Sequence, residues 1–225
     1  MKTVSVAIDG PSGAGKSTLA RKIADALGYV YVDTGAIYRS IGYDMIAHEI
    51  DVKDEQAVVE RLPKLHVELT YGEDGLQHML VNKEDVTEKI RTPEVSMAAS
   101  VVSAYPAVRE YLLDMQRQLA QIHHVVMDGR DIGTVVLPEA TVKIFLTATA
   151  EERARRRMLE LQQRGMEEPF EKVLKEIEER DYHDMHRAAA PLRQAEDAVL
   201  LDTTELNFQE SEQALLWLVR ERIGA

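Results

Sequence analysis

Gly10-Pro11-Ser12-Gly13-Ala14-Gly15-Lys16-Ser17-Thr18 fits the pattern G-x-x-x-x-G-K-[ST], and what flanks it decides the fold. Residues 3–9 read as a short buried strand and residues 17–27 as an amphipathic helix, so strand, loop and helix arrive in the order a phosphate-holding loop requires. Gly10, Gly13 and Gly15 permit backbone turns that a side chain would block, which lets successive N–H groups point at one anion beside the helix N-terminus. Lys16 is placed to reach the terminal phosphates of a nucleotide, and Ser17 offers a hydroxyl to a magnesium ion carried with it.

Outward from this loop the chain keeps alternating. Residues 29–33 read as a second strand and 36–50 as a helix, and that order implies a parallel sheet. Residues 54–65 look helical until Pro63. Residues 66–71 and 76–81, separated by the turn-forming Gly72-Glu73-Asp74-Gly75, then form a hairpin, so residues 65–92 are expected as a small antiparallel insert outside the main sheet. Helices follow at about 92–104 and 106–122, strands at 124–128 and 141–147, and helices at about 149–163 and 169–187. A strand at 198–202 and a final helix to 222 complete the chain. Thr149 with Glu152 and Asn207 with Glu210 have capping-box spacing.

Composition narrows the function. The 225 residues carry a formal charge of −12, so polyanions are repelled over the surface as a whole and nucleic-acid binding is not expected. The absence of cysteine excludes disulfides and thiolate metal sites and accords with a reducing compartment. Without an apolar run of spanning length or an export signal, no membrane association is expected, and the protein is expected in the cytoplasm. An anionic substrate must therefore be drawn in by local arginines.

Those arginines follow the strands. Asp33-Thr34-Gly35-Ala36-Ile37-Tyr38-Arg39 sits at the carboxyl end of the second strand, where parallel sheets place ligands; Arg39 can fork onto an acceptor phosphate and Thr34 can hydrogen-bond to it. Asp128-Gly129-Arg130-Asp131 ends a later strand, with Asp128 placed to orient magnesium-bound water and Arg130 to neutralise phosphate. Arg180, Asp184 and Arg187, spaced i, i+4, i+7, fall on one helix face where the acid can brace two arginines. Arg153, Arg155, Arg156 and Arg157 crowd another helix, diluted by Glu151, Glu152 and Glu160 and without aromatics for stacking bases, which disfavours a nucleic-acid patch. His123 and His124 are read as structural, and the methionines and Trp217 as core. Asn82-Lys83-Glu84-Asp85 matches the N-x-x-D pattern of GTPase switches, but it falls on the expected hairpin, and the D-x-x-G candidate at Asp25 lies inside the first helix.

The loop 10–18, the segment 33–39, Asp128-Gly129-Arg130-Asp131-Ile132-Gly133-Thr134-Val135-Val136, Glu179-Arg180-Asp181 and Arg187-Ala188-Ala189-Ala190-Pro191 together resemble the bacterial cytidylate kinases over nearly the whole chain. The resemblance extends to the insert. It implies a P-loop nucleoside monophosphate kinase fold, an α/β unit with a central parallel sheet flanked by helices. Its expected parts are a core (about 1–34, 106–150, 190–225), a nucleotide-monophosphate region with the insert (about 35–105) and a helical lid (about 151–189). It implies ATP and CMP or dCMP as substrates, Mg2+ travelling with ATP, and a monomer. By the same resemblance Lys16, Arg39 and Arg130 are catalytic; residues 10–18 with Arg156 and Arg157 bind ATP; Ser17 and Asp128 serve the metal. Thr34, Arg39, Ser100, Arg109, Arg130, Asp131, Arg180, Asp184 and Arg187 bind CMP. Thr34 stands where such proteins often have serine, which keeps the hydroxyl and adds a methyl. Two rival readings remain, a kinase for another small acceptor, such as shikimate or another nucleotide, and a regulatory P-loop switch.

Overall fold

The computed structural model describes residues 3–73, 75–163 and 165–224; Asp74 of the expected turn lies outside them. In chain order the elements are Ser5–Asp9 (β1), Lys16–Leu27 (α1), Val30–Asp33 (β2), Thr34–Ala47 (α2), Glu55–Arg61 (α3), Val67–Tyr71 (β3), Gln77–Val81 (β4), Glu84–Asp85 (β5), Pro93–Val102 (α4) and Pro106–Ile122 (α5). Then come Val125–Gly129 (β6), Val142–Thr147 (β7), Ala150–Gln163 (α6), Phe170–His186 (α7), Val199–Asp202 (β8) and Phe208–Ile223 (α8). The chain divides into two compact units, residues 1–31 with 120–225, and residues 32–119.

The first unit is built on a five-stranded sheet of order β2-β6-β1-β7-β8, which β2 enters through its first residues. β1 runs parallel to both β6 and β7, and Val6, Ala7 and Ile8 are fully buried because helices cover both faces. Leu19, Ala20 and Ile23 of α1 and Leu215 and Val219 of α8 join Val6 and Ile8 in one core. Register sets the geometry of the strand ends: Asp9 lies level with Gly129, so the Gly10 loop and the Asp128–Asp131 segment leave the sheet as neighbours. α6 and α7 pack through a small core of their own, Ala154 and Leu161 against Val173 and Ile177.

In the second unit α2 packs on α4 beside a three-stranded antiparallel sheet, β3-β4-β5. Asn82 and Lys83, at φ 49° and 73°, make a two-residue turn between β4 and β5, and the Asn82 side-chain oxygen accepts from the His66 N–H at 2.9 Å. The Asn-Lys pair thus closes a hairpin.

Some expectations are corrected. The helix expected to Ile50 ends at Ala47, where His48 caps it and Glu49 turns to φ 55°. A third strand, only two residues long, pairs with β4, too short for any alternation to show. Asn207 and Glu210 form the full capping box, whereas only half of the one at Thr149 exists: its hydroxyl accepts from the Glu152 N–H, but its own N–H goes to Thr204, leaving Glu152 to pair with Arg155 and Arg156. Trp217 is not core but 62% exposed on α8, and Met97 is likewise exposed, although Met45, Met79 and Met127 are buried. His124 accepts from the Val4 N–H at 2.8 Å and stacks on Tyr29. Among the described residues no helix is long and apolar enough to cross a membrane.

Candidate active site

The loop after β1 takes its shape from glycine. Gly10 sits at φ 151°, and a Cβ there would come within 1.9 Å of the Leu146 carbonyl oxygen, so no side chain fits between the loop and β7. Gly15, at φ 86°, is the N-cap of α1 and provides no side chain to the first-turn N–H groups, which leaves them for an anion. Lys16 folds back over the loop: it is buried, and its Nζ donates to the Pro11 carbonyl at 2.7 Å. Burial, seconded by the nearby Arg130 charge, lowers its pKa to about 7, although Asp128 and Asp184 pull the other way.

Ser17, in the first turn of α1, donates its hydroxyl to Asp128 Oδ2 at 2.8 Å, and the Tyr31 hydroxyl donates to Asp128 Oδ1 at the same distance. Both oxygens of this buried acid are therefore aimed. In the sequence Tyr31 is legible only as a strand residue; an aromatic with a polar tip, ahead of the Asp33 strand end, gives no sign of reaching β6. Asp9 carries no such sign either. Its buried carboxylate accepts from the Ile132 and Gly133 N–H groups, each at 2.7 Å, and so ties the end of β1 to a π-helical turn, Ile132–Val136, directly after Asp131. Burial pushes the Asp9 carboxyl up to about 7 against these two donors, which favour the ionised form.

Next to the loop stands a cluster of guanidinium groups. Arg130 donates from Nε to Asp184 Oδ2 at 2.7 Å, and Arg187 lies 3.4 Å from Asp131 Oδ1. Burial alone would raise the Asp184 pKa, but the charges of Arg130, Arg180 and Arg187 and the hydrogen bond from Arg130 outweigh it and hold the carboxyl below its usual value. The expected helix-face brace is corrected: the acid's ion pair is with Arg130, which arrives from the end of β6, and Arg180 and Arg187 act on it through their charge. Arg187 is no longer helical: α7 ends at His186, and the Arg187 Nε donates to the Ala190 carbonyl.

The four arginines of α6 separate by role. Arg153 is buried and reaches three partners, the Ala148 carbonyl, the Ser12 carbonyl of the loop at 3.0 Å and Asp181 of α7 at 2.5 Å. Arg156 donates to the Thr203 hydroxyl and carbonyl after β8, whereas Arg155 pairs with Glu152 and Arg157 with Glu160.

The second unit carries the remaining residues. Asp33 caps α2 by accepting from the Ala36 N–H and grips Arg39 at 2.8 Å, with Thr34 buried beside it. Arg109, also buried, donates to the Ser103 carbonyl and lies 5.7 Å from the Tyr38 ring centroid, while the Ser100 carbonyl accepts from Ser103 Oγ.

Comparison with known proteins gives this arrangement a family. The family model described as cytidylate kinase matches residues 6–221. The chain is 51% identical over 218 residues to a cytidylate kinase of Caldicellulosiruptor bescii, covering 97% of this chain and 96% of that one. It is 50% identical over 224 residues to the cytidylate kinase of Caldicellulosiruptor saccharolyticus, covering 100% and 99%. Among solved structures, a shikimate kinase from Bacteroides thetaiotaomicron aligns with a TM-score of 0.50 at 15% identity over 99% of both chains, a likeness of fold alone. With half its residues shared along nearly its full length, the chain belongs to the cytidylate kinase family.

Proposed function

We propose that the chain moves the γ-phosphoryl group of ATP onto the phosphate of CMP or dCMP, giving ADP and CDP or dCDP, with each site residue in the role its chemistry suits. The observation that carries this is the loop of main-chain donors with the buried Lys16 folded against it, a lysine whose charged form burial and the nearby Arg130 disfavour until a bound polyanion offsets them. Main-chain N–H groups of residues 10–18 hold the donor's phosphates, and Lys16 regains its proton against them. Arg39 and Arg130 grip the acceptor phosphate; Arg109, Arg180 and Arg187 add positive charge, and Thr34, Ser100, Asp131 and Asp184 accept or donate hydrogen bonds to base and sugar. Arg156, beside Thr203, and Arg157 attend the donor. No covalent intermediate is needed. An acceptor oxygen attacks the γ-phosphorus in line, and the protein's work is alignment and dispersal of charge in a loose transition state.

A magnesium ion fits the donor set. Ser17 Oγ and Asp128 Oδ2 are hard oxygen ligands 2.8 Å apart, and Tyr31 fixes the carboxylate's other oxygen. Ser17 would hold the ion directly and Asp128 through water; when bound, the ion supplies charge neutralisation at the β- and γ-phosphates. We place the enzyme in the cytoplasm as a monomer.

An acceptor panel read by coupled ADP release tests the reading. CMP and dCMP should turn over with kcat/KM at least about tenfold above UMP, AMP, GMP and shikimate, a discrimination on the order of what a misplaced hydrogen-bonding group costs. Preference for shikimate or a purine nucleotide would defeat it.

A further inference from the structure

The antiparallel insert contributes none of the residues assigned to phosphate, base or sugar. Its strand β4 opens with Gln77, whose amide reaches 44 residues back along the chain to Asp33. Gln77 Oε1 accepts from the Asp33 main-chain N–H at 2.7 Å, and Gln77 Nε2 donates to the Asp33 main-chain carbonyl at 3.2 Å. A main-chain N–H can only donate, so the amide's orientation is fixed by its partners. The side chain thereby does for one residue what a neighbouring strand would do, satisfying both polar groups where β2 ends and α2 begins. Nε2 also lies 3.2 Å from Met79 Sδ, so the amide is seated from both sides.

Asp33 is the residue whose carboxylate caps α2 through Ala36 and holds Arg39 at 2.8 Å. Gly35 leaves the room for that pair, since a Cβ there would fall 2.9 Å from an Arg39 nitrogen and 3.0 Å from the Asp33 carboxylate. A rotation of the Asp33 peptide would swing the carboxylate and carry the Arg39 guanidinium with it. We infer that Gln77 is a positioning residue for acceptor binding: the insert clamps the Asp33 main chain so that Arg39 is presented in one orientation to the phosphate of a nucleoside monophosphate. The inference rests on the assignment of Arg39 to the acceptor phosphate.

Gln77→Leu, similar in size but without either polar group, should raise KM for CMP about tenfold, on the order of one or two lost neutral hydrogen bonds. KM for ATP should stay within about twofold, and the melting temperature within a few degrees. Gln77→Glu keeps the acceptor for the Asp33 N–H but sets a carboxylate against the Asp33 carbonyl. Its KM for CMP, relative to wild type at the same pH, should fall as pH is lowered from about 6.5 to about 4.5, towards the ordinary glutamate value of about 4.3, and the carboxyl gains a proton to donate, a recovery that Gln77→Leu cannot show. KM for CMP within about twofold of wild type in both variants, or a matching rise in KM for ATP, overturns the inference while leaving the kinase assignment standing. A wild-type enzyme that does not phosphorylate CMP sinks both. Should Gln77→Leu fail to fold, the pH recovery of Gln77→Glu decides alone.

Discussion

Lys16→Met should lower kcat/KM with CMP by about a thousandfold or more, the scale seen when a cation facing developing phosphoryl charge is lost, and at the same time make the ligand-free protein harder to unfold. The two effects share a cause. Lys16 has almost no water, its Nζ donates to the Pro11 carbonyl, and Arg130 adds like charge; burial first and that charge second lower its pKa to about 7 from an ordinary 10.5. Between those values the unfolded chain binds a proton there that the folded chain lacks, so the stability of the wild type rises with pH across that window, and below it the full cost of burying the ammonium is felt. Methionine fills the volume without the charge. Its melting temperature should exceed that of wild type by several degrees at about pH 6, and the gain should shrink as pH approaches about 10. Phosphate from ATP would reverse the shift, so ATP binding above about pH 7 should take up a proton in wild type and not in the variant, readable by calorimetry in buffers of different ionisation enthalpy. Unchanged turnover, or a loss of stability equal at all pH values, would refute this account of Lys16.

That a lysine sits in such a place can be read from nine consecutive letters, because the glycines, the lysine and the helix they open are local and their spacing is the geometry. The same holds for Asp33 and Asp128, each at the carboxyl end of a parallel strand, where ligands gather. What stays hidden depends on contacts far apart in the chain. Asp9 meets Ile132 and Gly133 over separations of 123 and 124 residues, and nothing near Asp9 distinguishes it from any strand-ending acid. Arg130 reaches Asp184 across 54 residues, so the helix spacing of 180, 184 and 187 suggests a brace for two arginines, whereas the acid's ion pair is with the third and Arg187 lies past the helix end. The α6 arginines at 155, 156 and 157 are consecutive letters, with Arg153 two before them, but they lie at different angles about a helix axis; only packing against the loop singles out Arg153 from Arg157. Gln77, the first residue of a strand whose Met79 and Val81 are buried, carries no signal until the hairpin is folded onto Asp33.

Asp184→Asn should damage both stability and catalysis. The carboxylate's side chain is only 8% exposed, and its ionised form is kept by Arg130, Arg180 and Arg187 against the pull of burial. Asparagine preserves the outline and a hydrogen-bond acceptor for Arg130 Nε but removes the carboxylate charge that Arg130 pairs with, while Arg187 keeps its contact with Asp131. Breaking a buried pair by removing one partner costs about 3–5 kcal/mol. For a chain of this length that corresponds to a melting temperature lower by roughly 10 °C. Because the folded pKa of Asp184 lies below its usual 3.8, its contribution is fully present above that value and is lost as pH falls through the folded one; wild type should therefore destabilise steeply below about pH 4, and the variant more gently. With Arg130 held by a neutral acceptor instead of a carboxylate, kcat/KM for CMP should drop by up to about a hundredfold, the scale of losing one preorganised charged donor. The double variant with Arg130→Met separates brace from bystander. If the acid's work is to hold that arginine, the two losses of stability will overlap by about 1–3 kcal/mol. Strict additivity would mean that Asp184 stabilises the fold through Arg180 and Arg187 alone, and that Arg130 takes its orientation from elsewhere.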